Sequence, residues 1–220
     1  MFIADRRNAF LERIYIAYGR RLVKRSFARV HFTHADCSVG TSWAESDAPT
    51  IAFINHSAWW DAVVPFIISR DRFRRESYAI MEGEQLARYH FFRRLGCFGA
   101  TSSSLDDARA VVARAVTVLR GGPRRTLWLA PQGVLLAAHA PLVFKSGLAR
   151  ISRAVPEARL VPVALRFEFG KQQLPTCFVR IGAPLAPVSR EEPIPVATSR
   201  LCSALTHELA ELDRALLTPS

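Results

Sequence analysis

The chain has 220 residues, with 30 Lys and Arg against 19 Asp and Glu, for a formal net charge of +11. Half of its residues are hydrophobic and 22% are charged, which excludes a disordered or low-complexity chain and is enough apolar surface for one domain with a buried core. Its cysteines, Cys37, Cys97, Cys177 and Cys202, are scattered with no C-x-x-C pair, which excludes a disulfide scaffold and argues against a structural zinc site, so no metal is expected.

In chain order, the first 27 residues read as one amphipathic helix. Arg6, Arg13, Arg20 and Lys24 recur at helical spacing, and Phe10, Leu11, Ile14, Tyr15, Tyr18 and Leu22 fall mainly on the other side. That pattern suits an interfacial helix lying on a membrane, and equally a helix packed on its own domain. Residues 1–27 are therefore read as an interfacial helix and 28–220 as the main domain. Asp5, Arg6 and Arg7 interrupt any apolar signal segment. The longest uncharged stretch, Thr126 to Phe144, contains Pro131, Gly133 and Pro141, so no spanning helix is expected.

Strands are expected at Arg29–Phe32 and Thr50–Ile54, with a polar loop or hairpin over Asp36–Pro49. A helix is expected from Ser57 to Arg70 in spite of Pro65. After it come a strand at Tyr78–Met81 and a helix at Glu84–Leu95. Ser104-Leu-Asp-Asp107 reads as a capping box opening a helix that ends at Gly121-Gly122-Pro123. Strands follow at Thr126–Ala130, Arg159–Arg166 and Cys177–Ile181, with helices at Gly147–Val155 and Thr198–Leu217. Strands alternating with helices give an α/β fold: a single domain with a central, mostly buried β-sheet flanked by helices, plus the N-terminal amphipathic helix.

An isoelectric point near 10.5 implies a polyanionic partner. No nucleic-acid-binding signature accompanies the charge, so an anionic membrane surface is preferred to nucleic acid. Arg70, Arg72, Arg74 and Arg75 bracket Phe73 and read as a solvated loop or a second membrane contact.

The stretch that carries chemistry is Asn55-His56-Ser57-Ala58-Trp59-Trp60-Asp61, at the end of an expected buried strand. Sites of α/β sheets collect at strand ends. With His56 in a turn and Asp61 in the first helical turn, the two side chains meet. A carboxylate on one imidazole nitrogen fixes the tautomer and leaves the other nitrogen free to accept a proton. A lone H-x4-D spacing also fits a hydrogen-bonded His beside a helix start. Downstream come Gly96-Cys97-Phe98-Gly99, Pro131-Gln132-Gly133, Phe144-Lys145-Ser146-Gly147 and Val161-Pro162-Val163.

With these five motifs in this order, residues 27–185 resemble the lysophospholipid and glycerolipid acyltransferases, the PlsC-like superfamily. The resemblance implies that residues 28–220 form an acyltransferase domain, with His56 as general base and Asp61 orienting it. It implies direct transfer of an acyl group from acyl-CoA or acyl carrier protein to a lipid-like hydroxyl, with no acyl-enzyme and no cofactor, at the cytoplasmic face of the membrane. Asn55, Ser57, Trp60, Pro131, Gln132, Gly133 and Lys145 are the implied substrate-contacting residues. Backbone N–H groups or Lys145 would stabilise the oxyanion.

The motifs also depart from the family's pattern. No basic residue follows Gly99 through Ser104, and Pro131-Gln132-Gly133-Val134-Leu135 stands where P-E-G-T-R is usual. Both changes remove groups that would hold a glycerol phosphate. A neutral acceptor such as a glycolipid or carotenoid glycoside is therefore expected, with Gln132 meeting a sugar hydroxyl. A lysophosphatidate-type acceptor held by Arg93 and Arg94, or an inactive lipid-binding member, are the alternatives.

Overall fold

The computed structural model describes residues 1–35, 46–101 and 104–217. Most of the expected loop over 36–49, with Cys37, lies outside the described residues, as do Ser102 and Ser103. The described strands are β1 (Phe2–Ile3), β2 (Arg29–His34), β3 (Thr50–Ile54), β4 (Glu76–Ile80), β5 (Cys97–Ala100), β6 (Arg125–Leu129), β7 (Arg159–Glu168) and β8 (Thr176–Ile181). They form an eight-stranded sheet in the order β1-β5-β4-β6-β3-β7-β8-β2. The inner five, β5 to β7, run parallel to their neighbours. β8 returns antiparallel to β7, β2 runs parallel to β8, and β1 pairs antiparallel with β5 at the other edge.

Seven helices among the described residues cover both faces: α1 (Ala9–Ser26), α2 (Val64–Asp71), α3 (Gly83–Arg88), α4 (Phe91–Arg94), α5 (Leu105–Arg120), α6 (Gly147–Ala154) and α7 (Ile194–Leu217). β3 shows why the sheet reads as apolar runs. Ile51 and Phe53 enter a core built with Leu119, Ile151 and Leu205 of α5, α6 and α7. Ala52 and Ile54, one residue out of phase, enter a second core with Val64 and Ile68 of α2. Strand side chains alternate between faces, so a sheet covered on both sides needs apolar residues at every position.

Two expected helices are divided. In place of Ser57–Arg70 there is a 3-10 turn at Trp59–Ala62 and then α2, with Pro65 in its first turn. Proline lacks the N–H a helix interior needs, and the first turn is where that lack costs nothing. Glu84–Leu95 is likewise two short helices, broken at Tyr89. Ser104 caps its helix as expected, accepting from the Asp107 N–H at 3.2 Å; Asn8 caps α1, which starts at Ala9 and not at the first residue. The glycine closing the second motif is structural. A Cβ on Gly99 would lie 1.8 Å from the Met81 carbonyl oxygen, so β5 can approach the end of β4 only without a side chain there.

The first 27 residues are built into this frame. β1 lies at the sheet edge, and Gly19 of α1 meets Val63 and Ile67 at the start of α2. The buried face of α1 is Glu12, Tyr15, Ile16 and Gly19. Phe10, Ile14 and Tyr18 stay exposed, so the apolar side expected from spacing is split between the core and the surface. Arg20 of the expected basic stripe is paired with Asp71.

The second basic cluster is corrected at Phe73 and Arg75. Phe73 is buried, and Arg75 is only 1% exposed. Its guanidinium donates to Thr126 Oγ1 at 3.0 Å, to the Ser46 carbonyl at 2.6 Å and to the Ala48 carbonyl. Burial, and then the Arg124 and Arg159 charges, pull its pKa down to about 10. Phe73 and Arg75 form an internal clamp on the chain leading into β3, whereas Arg70, Arg72 and Arg74 are exposed, as expected of a solvated segment. No helix among the described residues is long and apolar enough to cross a membrane.

Candidate active site

The site lies where β3 ends. One residue past the strand, the Asn55 side chain carries on the pairing with β7. Its Oδ1 accepts from the Leu165 N–H at 2.8 Å and its Nδ2 donates to the Leu165 carbonyl at 3.0 Å. Asn55 is 3% exposed, and these bonds brace the turn.

The turn then folds back on Asp61. Its Oδ2 accepts from the N–H groups of Ser57 at 2.7 Å and Ala58 at 2.9 Å, and it lies 2.9 Å from His56 Nδ1. An oxygen that accepts from two backbone N–H groups is held as a carboxylate oxygen, so the ring nitrogen facing it carries the hydrogen. Nε2 is then the proton acceptor, and among the described residues it has no hydrogen-bond partner. The Asp61 side chain is 2% exposed and that of His56 33%: the orienting group is sealed and the reacting group is open. The nearby Cys177 thiol is pushed up to about 12, first by burial and then by the charge of Asp61. It stays protonated. Burial also pushes Cys97 up, so neither is an activated thiolate.

The segment 131–146, following β6, frames the other side. Gln132 Oε1 accepts from the His56 N–H at 2.8 Å, and the Leu136 N–H donates to the His56 carbonyl at 3.0 Å. Gln132 is 4% exposed, and its oxygen is turned to the His56 backbone. Pro131 is buried as well, and its carbonyl accepts from the Lys145 N–H at 2.9 Å. Gly133 has φ +69, and a Cβ there would lie 2.7 Å from Lys145 Nζ. Glycine suits the left-handed turn, and the exposed lysine chain runs close beside it. Lys145 is exposed, with no ion-pair partner among the described residues.

Trp60, partly buried, packs edge-on against Phe27 with ring centroids 4.6 Å apart. Trp59 is 58% exposed. It borders an apolar groove of about 310 Å³ whose other walls include Ile14, Tyr18, Val63 and Phe92. The expected fallback of a phosphate held by Arg93 and Arg94 does not fit the topology. These residues lead into the N-terminal end of β5, whereas His56 follows the C-terminal end of the parallel strand β3. Arg93 is moreover engaged with the Ala4 carbonyl at 2.9 Å. No group of three or more His, Cys, Asp or Glu suited to a metal ion occurs among the described residues.

The site residues that sequence reasoning missed are Leu136 and Leu165. Both act through the backbone, which leaves no side-chain signature. Asp61 accepts from the N–H of Ala58, which caps the 3-10 turn with no side-chain bond of its own.

The family model described as Acyltransferase matches residues 20–166, a span that holds His56, Asp61, Gln132, Gly133 and Lys145. This chain belongs to the acyltransferase family. The crystal structure of the 1-acyl-sn-glycerophosphate (LPA) acyltransferase PlsC from Thermotoga maritima shares the fold, with a TM-score of 0.60 over 91% of this chain and 79% of that chain at 16% identity. No curated protein sequence matches this acyltransferase.

Proposed function

We propose that this acyltransferase moves a fatty acyl group from acyl-CoA or acyl carrier protein to a hydroxyl of a lipid-like acceptor, with His56 as general base. The observation that carries the reading is the 2.9 Å contact between His56 Nδ1 and a buried Asp61 carboxylate, with Nε2 left free. A hydroxyl is a poor nucleophile at neutral pH unless its proton leaves as it attacks. Nε2 takes that proton while the hydroxyl oxygen bonds to the thioester carbonyl carbon. Asp61 stabilises the imidazolium formed. Collapse of the tetrahedral species breaks the carbon–sulfur bond, and the departing thiolate recovers the proton from His56. Lys145, beside Gly133, is positioned to stabilise the oxyanion. Ser57 and Gly133 flank the acceptor. The apolar groove at Trp59 suits an acyl chain.

A neutral acceptor, a glycolipid or carotenoid glycoside, is the preferred substrate. The support is the exposed Leu135 where the family carries a basic residue, together with Arg93 and Arg94 at the far end of the sheet. The unpaired Lys145 favours a second reading, a lysophosphatidate-type acceptor.

The enzyme works as a peripheral protein on the cytoplasmic face of the membrane, with residues 1–27 as the interfacial element. Arg13, Arg21, Lys24 and Arg25 on α1 have no ion-pair partner among the described residues and share that helix with the exposed Phe10, Ile14 and Tyr18. Cations beside exposed aromatic side chains suit an anionic lipid surface.

The test of substrate is transfer of a labelled acyl group, from acyl-CoA and from acyl carrier protein, into a lipid extract of the source cells. Labelled glycolipid supports the preferred reading, and labelled phosphatidate replaces it with the second. No labelled lipid from either donor leaves an inactive lipid-binding member.

A further inference from the structure

We infer that Gln132 is a positioning residue for His56 and not an acceptor-recognition residue. This rests on the reading of His56 as the general base. The His56 peptide is gripped on both sides by one loop: Gln132 Oε1 accepts its N–H at 2.8 Å, and the Leu136 N–H donates to its carbonyl at 3.0 Å. Asn55 is fixed to Leu165 on one side of the turn, and Asp61 holds Ser57, Ala58 and the His56 ring on the other. The His56 N–H is a further donor of this turn, and Gln132 satisfies it. Its neighbour Gly133 takes a left-handed conformation at φ +69, beside the Lys145 side chain.

The consequence concerns side-chain chemistry at this position. What the turn requires is an acceptor oxygen at the end of a three-carbon reach. A carboxylate at the same reach supplies one as well as an amide does. A shorter amide does not. Gln132 therefore tunes kcat through the placement of Nε2, because a misplacement of about 1 Å at a reacting atom costs roughly a hundredfold in rate. It leaves the choice of acceptor to other groups.

Gln132→Glu and Gln132→Asn separate the two roles in opposite directions. The assay is transfer from labelled palmitoyl-CoA, with lysophosphatidate and a monoglycosyl glycerolipid as acceptors, alongside His56→Ala. A positioning role predicts that Gln132→Asn lowers kcat about 10- to 100-fold on each acceptor used, while acceptor KM stays within about twofold. It predicts that Gln132→Glu, which keeps the reach and loses the amide, retains kcat within about threefold. The reverse pattern, with Gln132→Glu impaired or acceptor KM raised at constant kcat, makes Gln132 an acceptor contact and overturns the inference. Full activity of both variants overturns it too. Activity that survives His56→Ala overturns the general-base reading first and this inference with it.

Discussion

The turn at His56 and the outer face of α1 use their polar groups in opposite ways. At the turn, Asn55, Asp61 and Gln132 are all buried, and their bonds to Leu165, Ser57, Ala58 and His56 hold backbone in place. The His56 ring is left open. On α1, Arg13, Arg21, Lys24 and Arg25 are held by nothing in the described residues and stand beside exposed aromatic side chains. The first arrangement is what fixed chemistry needs, because catalytic groups work only when others hold their geometry. The second suits a partner that is broad and fluid, for which net charge and exposed apolar area matter more than any single contact.

The contrast is broken most severely at Asp61. Asp61→Asn keeps the shape but disturbs both the tautomer of His56 and the acceptor for two N–H groups. Turnover is expected to fall by roughly a thousandfold, with acceptor affinity nearly unchanged. A variant within a few-fold of wild type would mean that the ring is oriented by something else.

Next in size is Arg75, whose buried guanidinium ties the chain before β3 to β6. Arg75→Met leaves those acceptors without their charged donor. A loss of about 3 kcal/mol is expected for removing a buried, hydrogen-bonded charge. A chain of this size would then melt roughly 10 °C lower. An unchanged Tm would return Arg75 to the surface role that the sequence suggested.

The smallest of these effects concerns α1. Replacing Arg13, Arg21 and Lys24 together with Gln is expected to weaken sedimentation with phosphatidylserine vesicles roughly a hundredfold, at about 1 kcal/mol per cation near a charged bilayer. Binding to zwitterionic vesicles should change little, and added salt should mimic the substitutions. Equal binding to both vesicle types by the wild type would remove the electrostatic reading of this face.

The same contrast separates what the sequence disclosed from what it hid. β3, β6 and β7 were legible because a sheet covered on both faces forces unbroken apolar runs such as Ile51 to Ile54. The pairing of His56 with Asp61 was legible because it is local. The roles of Asn55 and Gln132 were not, because their partners lie 110 and 76 residues away and are backbone groups. Arg75 misled for a related reason. A run of arginines looks solvated, and only the assembled fold brings Thr126, Ser46 and Ala48 around one of them. On α1 the helical period was correct. Which side of it faced the protein was decided by Gly19 against Val63 and Ile67, a contact with no local signal.

The central claim is that His56 removes the proton from the acceptor hydroxyl. The most direct measurement is the initial rate of acyl transfer from labelled acyl-CoA into the source lipid extract, for the wild type beside His56→Ala. The account predicts a labelled lipid whose formation falls by about 100- to 10,000-fold in the variant, with the fold and melting temperature intact. A labelled product formed equally well without His56 would contradict it.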